Sequence, residues 1–208
     1  FSGNTASSYG GGMYNRQSSP TLTNIIFSDN SAYSGGGMYN FDSNLKLENA
    51  TIYHNTAQGL GGGINTMRGN FTLSHVTFSD NTCSIGIGGG MYNNFFGATI
   101  ITASTFSDVT FSGNSAGAQA GGLDNEGFYG TMTDVTFSGN SAGDDGGGMF
   151  CSSCQGVLED ITFSGNSTAD EGGGIAITGG INKTLTLTNM SFTDNLAKYG
   201  GGEGIKNL

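Results

Sequence analysis

Three groups of residues in this chain are of types and spacings that could do chemistry. Asp108, Asp134 and Asp160 recur 26 residues apart. Paired carboxylates are how glycosidases supply a general acid together with a base or nucleophile. Asp144-Asp145 and Asp170-Glu171 repeat at the same interval. Together they make four carboxylates, an oxygen donor set that suits a hard cation such as calcium. Cys151-Ser-Ser-Cys154 is spaced for a local disulfide in an oxidising compartment. A zinc site would need a second pair or a nearby His, and none follows.

Each group also has a plainer reading. The three Asp share a column with Asn24, Asn49, His75 and Asn189, always three residues before a recurring Phe position. Asn and Asp serve equally in an Asx turn, so their interchange suits a bend between strands better than catalysis. The acidic quartet also fits a solvated loop, with Lys198 counting into the next coil to relieve it. Cys83 stands in a column otherwise mostly Ala (Ala6, Ala32, Ala57, Ala116, Ala142, Ala197), which suits a small buried thiol.

What must position all of these is a repeat. Asn4, Asn30, Asn55, Asn81, Asn114, Asn140, Asn166 and Asn195 follow one another at 26, 25, 26, 33, 26, 26 and 29 residues. Three residues before each is Phe1, Phe27, Ile52, Phe78, Phe111, Phe137, Phe163 or Phe192. Seven to nine residues after each Asn a glycine run ends, at Gly12, Gly37, Gly63, Gly90, Gly122, Gly148, Gly174 and Gly202. Such a period calls for a repeat architecture. No copy has helical apolar spacing. Short β-branched and aromatic runs alternate with Gly, Asn, Asp and Ser, which is strand and turn chemistry. The expected fold is all-β, a right-handed parallel β-helix of about eight coils of about 26 residues. At about 4.8 Å per coil the rod core is roughly 35–40 Å long. Extra residues enter between Gly90 and Phe111 and between Gly174 and Phe192, leaving the core unit intact, as a solenoid allows.

In a β-helix equivalent positions stack, and strand alternation assigns their faces. Met13, Met38, Ile64, Met91, Leu123, Met149 and Ile175 should point inward. So should the Phe column, the residues two before it (Ile25, Ala50, Val76, Val109, Val135, Ile161, Met190), and Leu22, Leu47, Leu73, Phe106, Met132, Leu158 and Leu187. The unbroken Asn column reads as a structural ladder of turn amides, because a buried amide needs partners that stacking supplies. Outward on the glycine strand, Tyr14, Tyr39, Tyr92 and Phe150 form a candidate binding face for sugars or a partner protein. Outward beside Phe, Thr51, Thr77, Thr110, Thr136, Thr162 and Ser191 run with Ser79, Ser112, Ser138, Ser164 and Thr193. That face is similar to the Thr-x-Thr faces of ice-binding solenoids. Ordinary β-propensity on an exposed strand explains it better, because Ile26, Tyr53 and the loop insertion interrupt it.

Composition narrows the function classes. The chain has 208 residues with 39 Gly, one Pro, no Trp and net charge −10. It reads as one domain over residues 1–208. The charge argues against nucleic acid and anionic membrane as partners. Residues 1–208 hold no transmembrane run and no signal-peptide pattern, and a targeting segment is expected to lie outside them. Three cysteines are too few for a disulfide scaffold. The chain opens inside a repeat at Phe1 and closes at Leu208, shortly after Gly200-Gly-Gly202, so it reads as a processed product or a segment of a longer protein. Sequons at Asn49, Asn70, Asn166, Asn182 and Asn189 matter only in a eukaryotic secretory route.

The pairing of Phe-x-x-Asn with Gly-Gly-aliphatic, as in Phe137-Ser-Gly-Asn140 with Gly147-Gly148-Met149, resembles the repeats of polymorphic outer membrane proteins. The resemblance extends over nearly the whole chain. It implies a right-handed parallel β-helix and surface-exposed adhesins carried by an autotransporter barrel. This chain uses Gly-Gly-Gly-Met where that family usually has Gly-Gly-Ala-Ile, and residues 1–208 hold no barrel segment.

The function expected is a non-enzymatic, extracellular or cell-surface rod, structural or adhesive, without cofactor unless calcium binds. Its expected partner is itself, head-to-tail through open coil edges into a filament. The alternative is an adhesin or glycan-binding module meeting glycans or cell-surface proteins through the aromatic face. A polysaccharide-active enzyme ranks below both, since Arg16, Lys46, Arg68, Lys183, Lys198 and Lys206 form no column beside the acids.

Overall fold

The computed structural model describes residues 1–96, 103–179, 183–202 and 204–207, with the side chains of 206 and 207 not described. The sequon at Asn182 and the terminal Leu208 lie outside the described residues. Among the described residues every regular element is a strand. They form three parallel sheets, in which each strand pairs with its own copy one turn on.

The glycine strands are Met13–Arg16, Met38–Phe41, Ile64–Met67, Met91–Asn94, Leu123–Glu126, Met149–Ser152, Ile175–Thr178 and Ile205–Asn207. The long strands are Thr21–Ser28, Leu45–Tyr53, Phe71–Ser79, Ser104–Ser112, Tyr129–Ser138, Gln155–Ser164 and Leu185–Thr193. The short strands begin at Ser31–Ser34 and Thr56–Leu60 and continue as residue pairs from Thr82–Cys83 to Leu196–Ala197. The register is the repeat itself. Phe111 pairs with Phe137 and Phe137 with Phe163, while Met91 pairs with Leu123 and Leu123 with Met149. The solenoid is right-handed, the hand parallel crossovers take.

Two expectations change. The rod has about seven turns, not about eight. Eight Asn copies bound seven intervals, and before its glycine strand begins the first copy pairs with the second by isolated bridges such as Ser2 to Ser28 and Thr5 to Ser31 rather than by regular strands. The last glycine run also ends two residues later than the sequence suggested. Ile175 N donates to Gly204 O, and Ile205 pairs with Ile175, so Gly204 rather than Gly202 stands level with Gly174. Gly202 instead takes the left-handed conformation of Gly172.

The cross-section is set by four corners per coil, and each corner is a residue with positive φ. One corner kinks the long strand, at Asn24, Asn49, His75, Asp108, Asp134, Asp160 and Asn189, with φ between 51° and 55°. A second precedes each ladder Asn, at Gly3, Asp29, His54, Asp80, Gly113, Gly139, Gly165 and Asp194. Among non-glycine residues Asn and Asp tolerate this region best. The column of interchanging Asn, Asp and His is therefore a bend column, as its composition suggested.

The glycine triplet does three different jobs, visible at Gly146-Gly147-Gly148. Gly146 takes φ 69°. A Cβ on Gly147 would lie 2.4 Å from Gly173 O, so no side chain fits between the coils. A Cβ on Gly148 would lie 2.6 Å from Gly174 O and 2.9 Å from the Phe163 ring.

Inside, the expected columns are the core. Met38, Ile64, Met91, Leu123, Met149 and Ile175 are fully buried beside the Phe column. Phe78, Phe111, Phe137, Phe163 and Phe192 stack with nearly parallel rings, 4.7 to 5.1 Å between centroids. Burying each large side chain stabilises by about 1.5–3 kcal/mol before entropy.

Candidate functional site

The Asn column is the most continuous polar feature, and every step of it is made. Asn140 Oδ1 accepts from both N and Nδ2 of Asn114, at 3.0 Å each. Asn140 Nδ2 in turn donates to Asn166 Oδ1 and to Phe111 O, both at 2.9 Å. The same scheme links Asn4, Asn30, Asn55, Asn81, Asn114, Asn140, Asn166 and Asn195. The amides lie at a turn with backbone on one side and the next amide on the other. Asn55, Asn81, Asn114, Asn140 and Asn166 are fully buried, which closes the sequon at Asn166. These residues hold the fold and have nothing left for a ligand. Asn70 is also buried, whereas Asn49 and Asn189 are exposed at the long-strand bend.

Asp108, Asp134 and Asp160 occupy that same exposed bend. Asp160 Oδ1 accepts from Asn189 Nδ2 at 3.0 Å, and Asp108 sits 3.6 Å from His75. They are stacked along the exposed outside of the rod. The second bend column holds a related stack, in which the His54 ring lies 3.7 Å from Asp29 and 4.0 Å from Asp80.

Asp144, Asp145, Asp170 and Glu171 share two adjacent coils as expected. Asp145 Oδ1 accepts from Glu171 N at 3.1 Å. Partial burial, with Asp170, Glu171 and Asp144 nearby, raises the Asp145 carboxyl above its usual range despite that hydrogen bond. Among the described residues no three acidic, His or Cys side chains are placed to hold one metal ion. Lys198 does not relieve this edge. The two-residue shift of the last glycine run puts Gly200 opposite Asp170, and the Lys198 ammonium lies over the Tyr199 ring at 4.6 Å.

Cys151 and Cys154 are joined as a disulfide, with Cα atoms 5.8 Å apart. Both are buried, Cys151 facing the interior from the glycine strand. Cys83 is a free, fully buried thiol, and burial pushes its pKa up to about 11. It is inert packing in the Ala column.

The aromatic face is not the open surface the alternation implied. Tyr39, Tyr92 and Phe150 are buried, and only Tyr14, at 49 % exposure, lies open. The cause is a second layer. The chain entering each glycine turn lies over the outer face of the glycine strand, so Ser34 Oγ accepts from Asn65 Nδ2 at 2.6 Å and Tyr9 packs on Tyr39 at 4.6 Å. What is exposed is a smaller cluster in which Tyr9 and Tyr14 lie beside Tyr39, with the Arg16 guanidinium 5.7 Å over the Phe41 ring. The Thr-x-Ser face does keep its register, with Thr77, Thr110, Thr136 and Thr162 aligned and half-buried. Exposed Ile26 and the Tyr53 position interrupt it at the other end.

Two features escaped the sequence reading. Asn15, Asn40, Asn93 and Asn125 are buried inside the rod, two residues beyond the Met column and on the same face. Asn93 Nδ2 donates to Asn125 Oδ1 at 2.8 Å and Asn15 Nδ2 to Asn40 Oδ1 at 2.5 Å. Strand alternation from Met13 would have predicted it. The other is the burial of Asp124, which breaks the aromatic column between Tyr92 and Phe150 and is fully closed off from water.

Two segments, residues 134–152 and 160–178, match the family model of the Chlamydia polymorphic membrane protein repeat. Each segment runs from the long-strand bend through Phe, ladder Asn and glycine triplet to the end of the glycine strand. No curated protein and no solved structure matches the chain.

Proposed function

We propose that this chain, a parallel β-solenoid of polymorphic-membrane-protein-type repeats, is a non-enzymatic rod displayed at the cell surface, working by shape and self-association. The observation that carries this reading is the unbroken Asn ladder. The one polar column present in every copy is consumed by the fold, and the recurrent acids are bend residues on an open surface. A repeat that spends its constant residues on coil-to-coil pairing is built to extend a surface. Coil meets coil through generic main-chain pairing and the same amide ladder, so a coil of one chain can meet a coil of another by the contacts used within it. Electron microscopy and solution mass of the purified protein test this. Fibres with an axial repeat of about seven coils support head-to-tail assembly, and monodisperse short rods at high concentration sink it.

A second reading, adhesion, is favoured by the exposed Tyr9–Tyr14 cluster with Arg16 beside it. Aromatic faces stack on sugar rings and on partner proteins. Retention on glycan-coated surfaces that survives Tyr9→Ser with Tyr14→Ser would remove that cluster from consideration. Calcium at Asp144, Asp145, Asp170 and Glu171 remains a separate proposal that requires those side chains to converge. Calorimetric titration with calcium chloride that gives no heat would retire it.

A further inference from the structure

Asp124 is a carboxylic acid with no exposure to water, and neither Oδ1 nor Oδ2 has a hydrogen-bond partner. It lies on the outer face of the glycine strand Leu123–Glu126, in the column that runs Tyr92, Asp124, Phe150. Charge or unmet hydrogen-bonding in such a place is costly. The groups around it offer no cation. Tyr92 and Asn94 flank it on the preceding strand, and both donate or bond to each other and to Glu126 Oε2, at 2.5 to 3.0 Å. Glu126, on its own strand, brings a second negative charge. On the following strand Phe150 and Ser152 bring none. The turn leading in, Gln119-Ala120-Gly121-Gly122, carries no charge.

The same turn is irregular in its backbone. Ala120 takes φ 57° at the corner where Gly10, Gly35, Gly61, Gly88, Gly146, Gly172 and Gly202 stand in the other coils. For a residue with a Cβ that conformation is strained. Two local departures thus fall within five residues of one another in one coil, with Ala120 packed in a cluster with Phe150, the next residue of the Asp124 column.

We propose that the turn and strand Gln119–Glu126 form a proton-controlled joint in the rod, closed when Asp124 is neutral and opening when it ionises. Burial, and secondarily Glu126, holds the Asp124 carboxyl well above the usual carboxylate range in the folded state. A raised acid favours the closed form when protonated. The closed form is therefore most stable at acid pH, below about 3.9 where the exposed carboxyl is also neutral. It loses stability as pH rises from there toward the folded value. In that window the opening equilibrium grows by up to about tenfold per pH unit, because opening releases one proton. The rod is tightened by acid and loosened toward neutral pH at this one coil.

Amide hydrogen exchange against pH, from pH 4 to pH 8 and corrected for the intrinsic rate, tests the joint, with Gly147–Ser152 in the next coil as internal reference. Protection of Gly121–Glu126 should fall by up to about tenfold per pH unit while the reference stays level. Asp124→Asn, which keeps the shape and cannot ionise, should abolish the slope. If that variant does not fold, Asp124→Phe, which continues the Tyr92–Phe150 column, serves the same purpose. A level wild-type profile, or a slope that persists in the variant, overturns the proposal. So does protection at pH 8 that sodium or calcium chloride restores in the wild type, since a cation and not a proton would then be the ligand of Asp124.

Discussion

Two successive coils of this rod share a backbone and differ in how their glycine turns are made. In the coil spanning Asp134–Ser152 the turn is Gly146-Gly147-Gly148, the outer column holds Phe150, and every corner residue suits its φ. In the coil spanning Asp108–Glu126 the corner residue is Ala120 and the outer column holds Asp124. The strands of the two coils nonetheless pair residue for residue, Leu123 to Met149 and Glu126 to Ser152. The lesson is that main-chain pairing on both sides, with the Asn ladder running through, imposes the coil geometry even where local residues oppose it. The regular coil should then lose stability when its shared columns are cut. The irregular coil should gain when its own departures are repaired.

Cutting the shared Phe column should have the largest effect. Phe137→Ala removes a ring stacked between Phe111 and Phe163 and should destabilise by about 3–5 kcal/mol, read as a shift in the denaturation midpoint. Asn140→Ala comes next. It leaves Asn114 N without its acceptor and Asn114 Nδ2 with Phe78 O alone, in a buried place, and should cost roughly 2–4 kcal/mol. A loss under about 1 kcal/mol would mean that the ladder is ornament on the main-chain pairing. Ala120→Gly should work the other way, relieving the left-handed strain while giving up some unfolded-state restriction, for a net gain of about 0.5–1 kcal/mol. Glycine at the same corner elsewhere would have nothing to gain, so a neutral result would place the distinction between the two coils in Asp124 alone. Smallest is Asp134→Asn. The long-strand bend already accepts Asn at positions 24, 49 and 189, so melting should move within about 0.5 kcal/mol. A large loss there would show that the acid does more than turn the chain.

How far the sequence could be read follows from which interactions repeat. The Phe, Met and Asn columns return at a fixed period because each copy meets an identical neighbour, and a constraint applied eight times leaves a readable column. Cys151 and Cys154 were legible because their pairing is local, three residues apart. The outer aromatic face was misread because alternation assigns only inside and outside. It cannot say that Ser34 and Tyr9 lie in a second layer over the glycine strand. The last glycine run was misplaced because Gly200-Gly-Gly202 looks like the end of a run, while the strand register runs on to Gly204 and Ile205.

The sequence by itself determined the β-solenoid, its repeat unit, its inward columns and its amide ladder, because parallel coils stack like on like and every copy must carry the residues that stacking demands. Only the tertiary structure decided the rest. It placed the bend acids on an open surface, buried Tyr39, Tyr92 and Phe150, and closed Asp124 away from water. Burial at those places comes from chain segments lying across one another, a relation between coils and layers that no single column records.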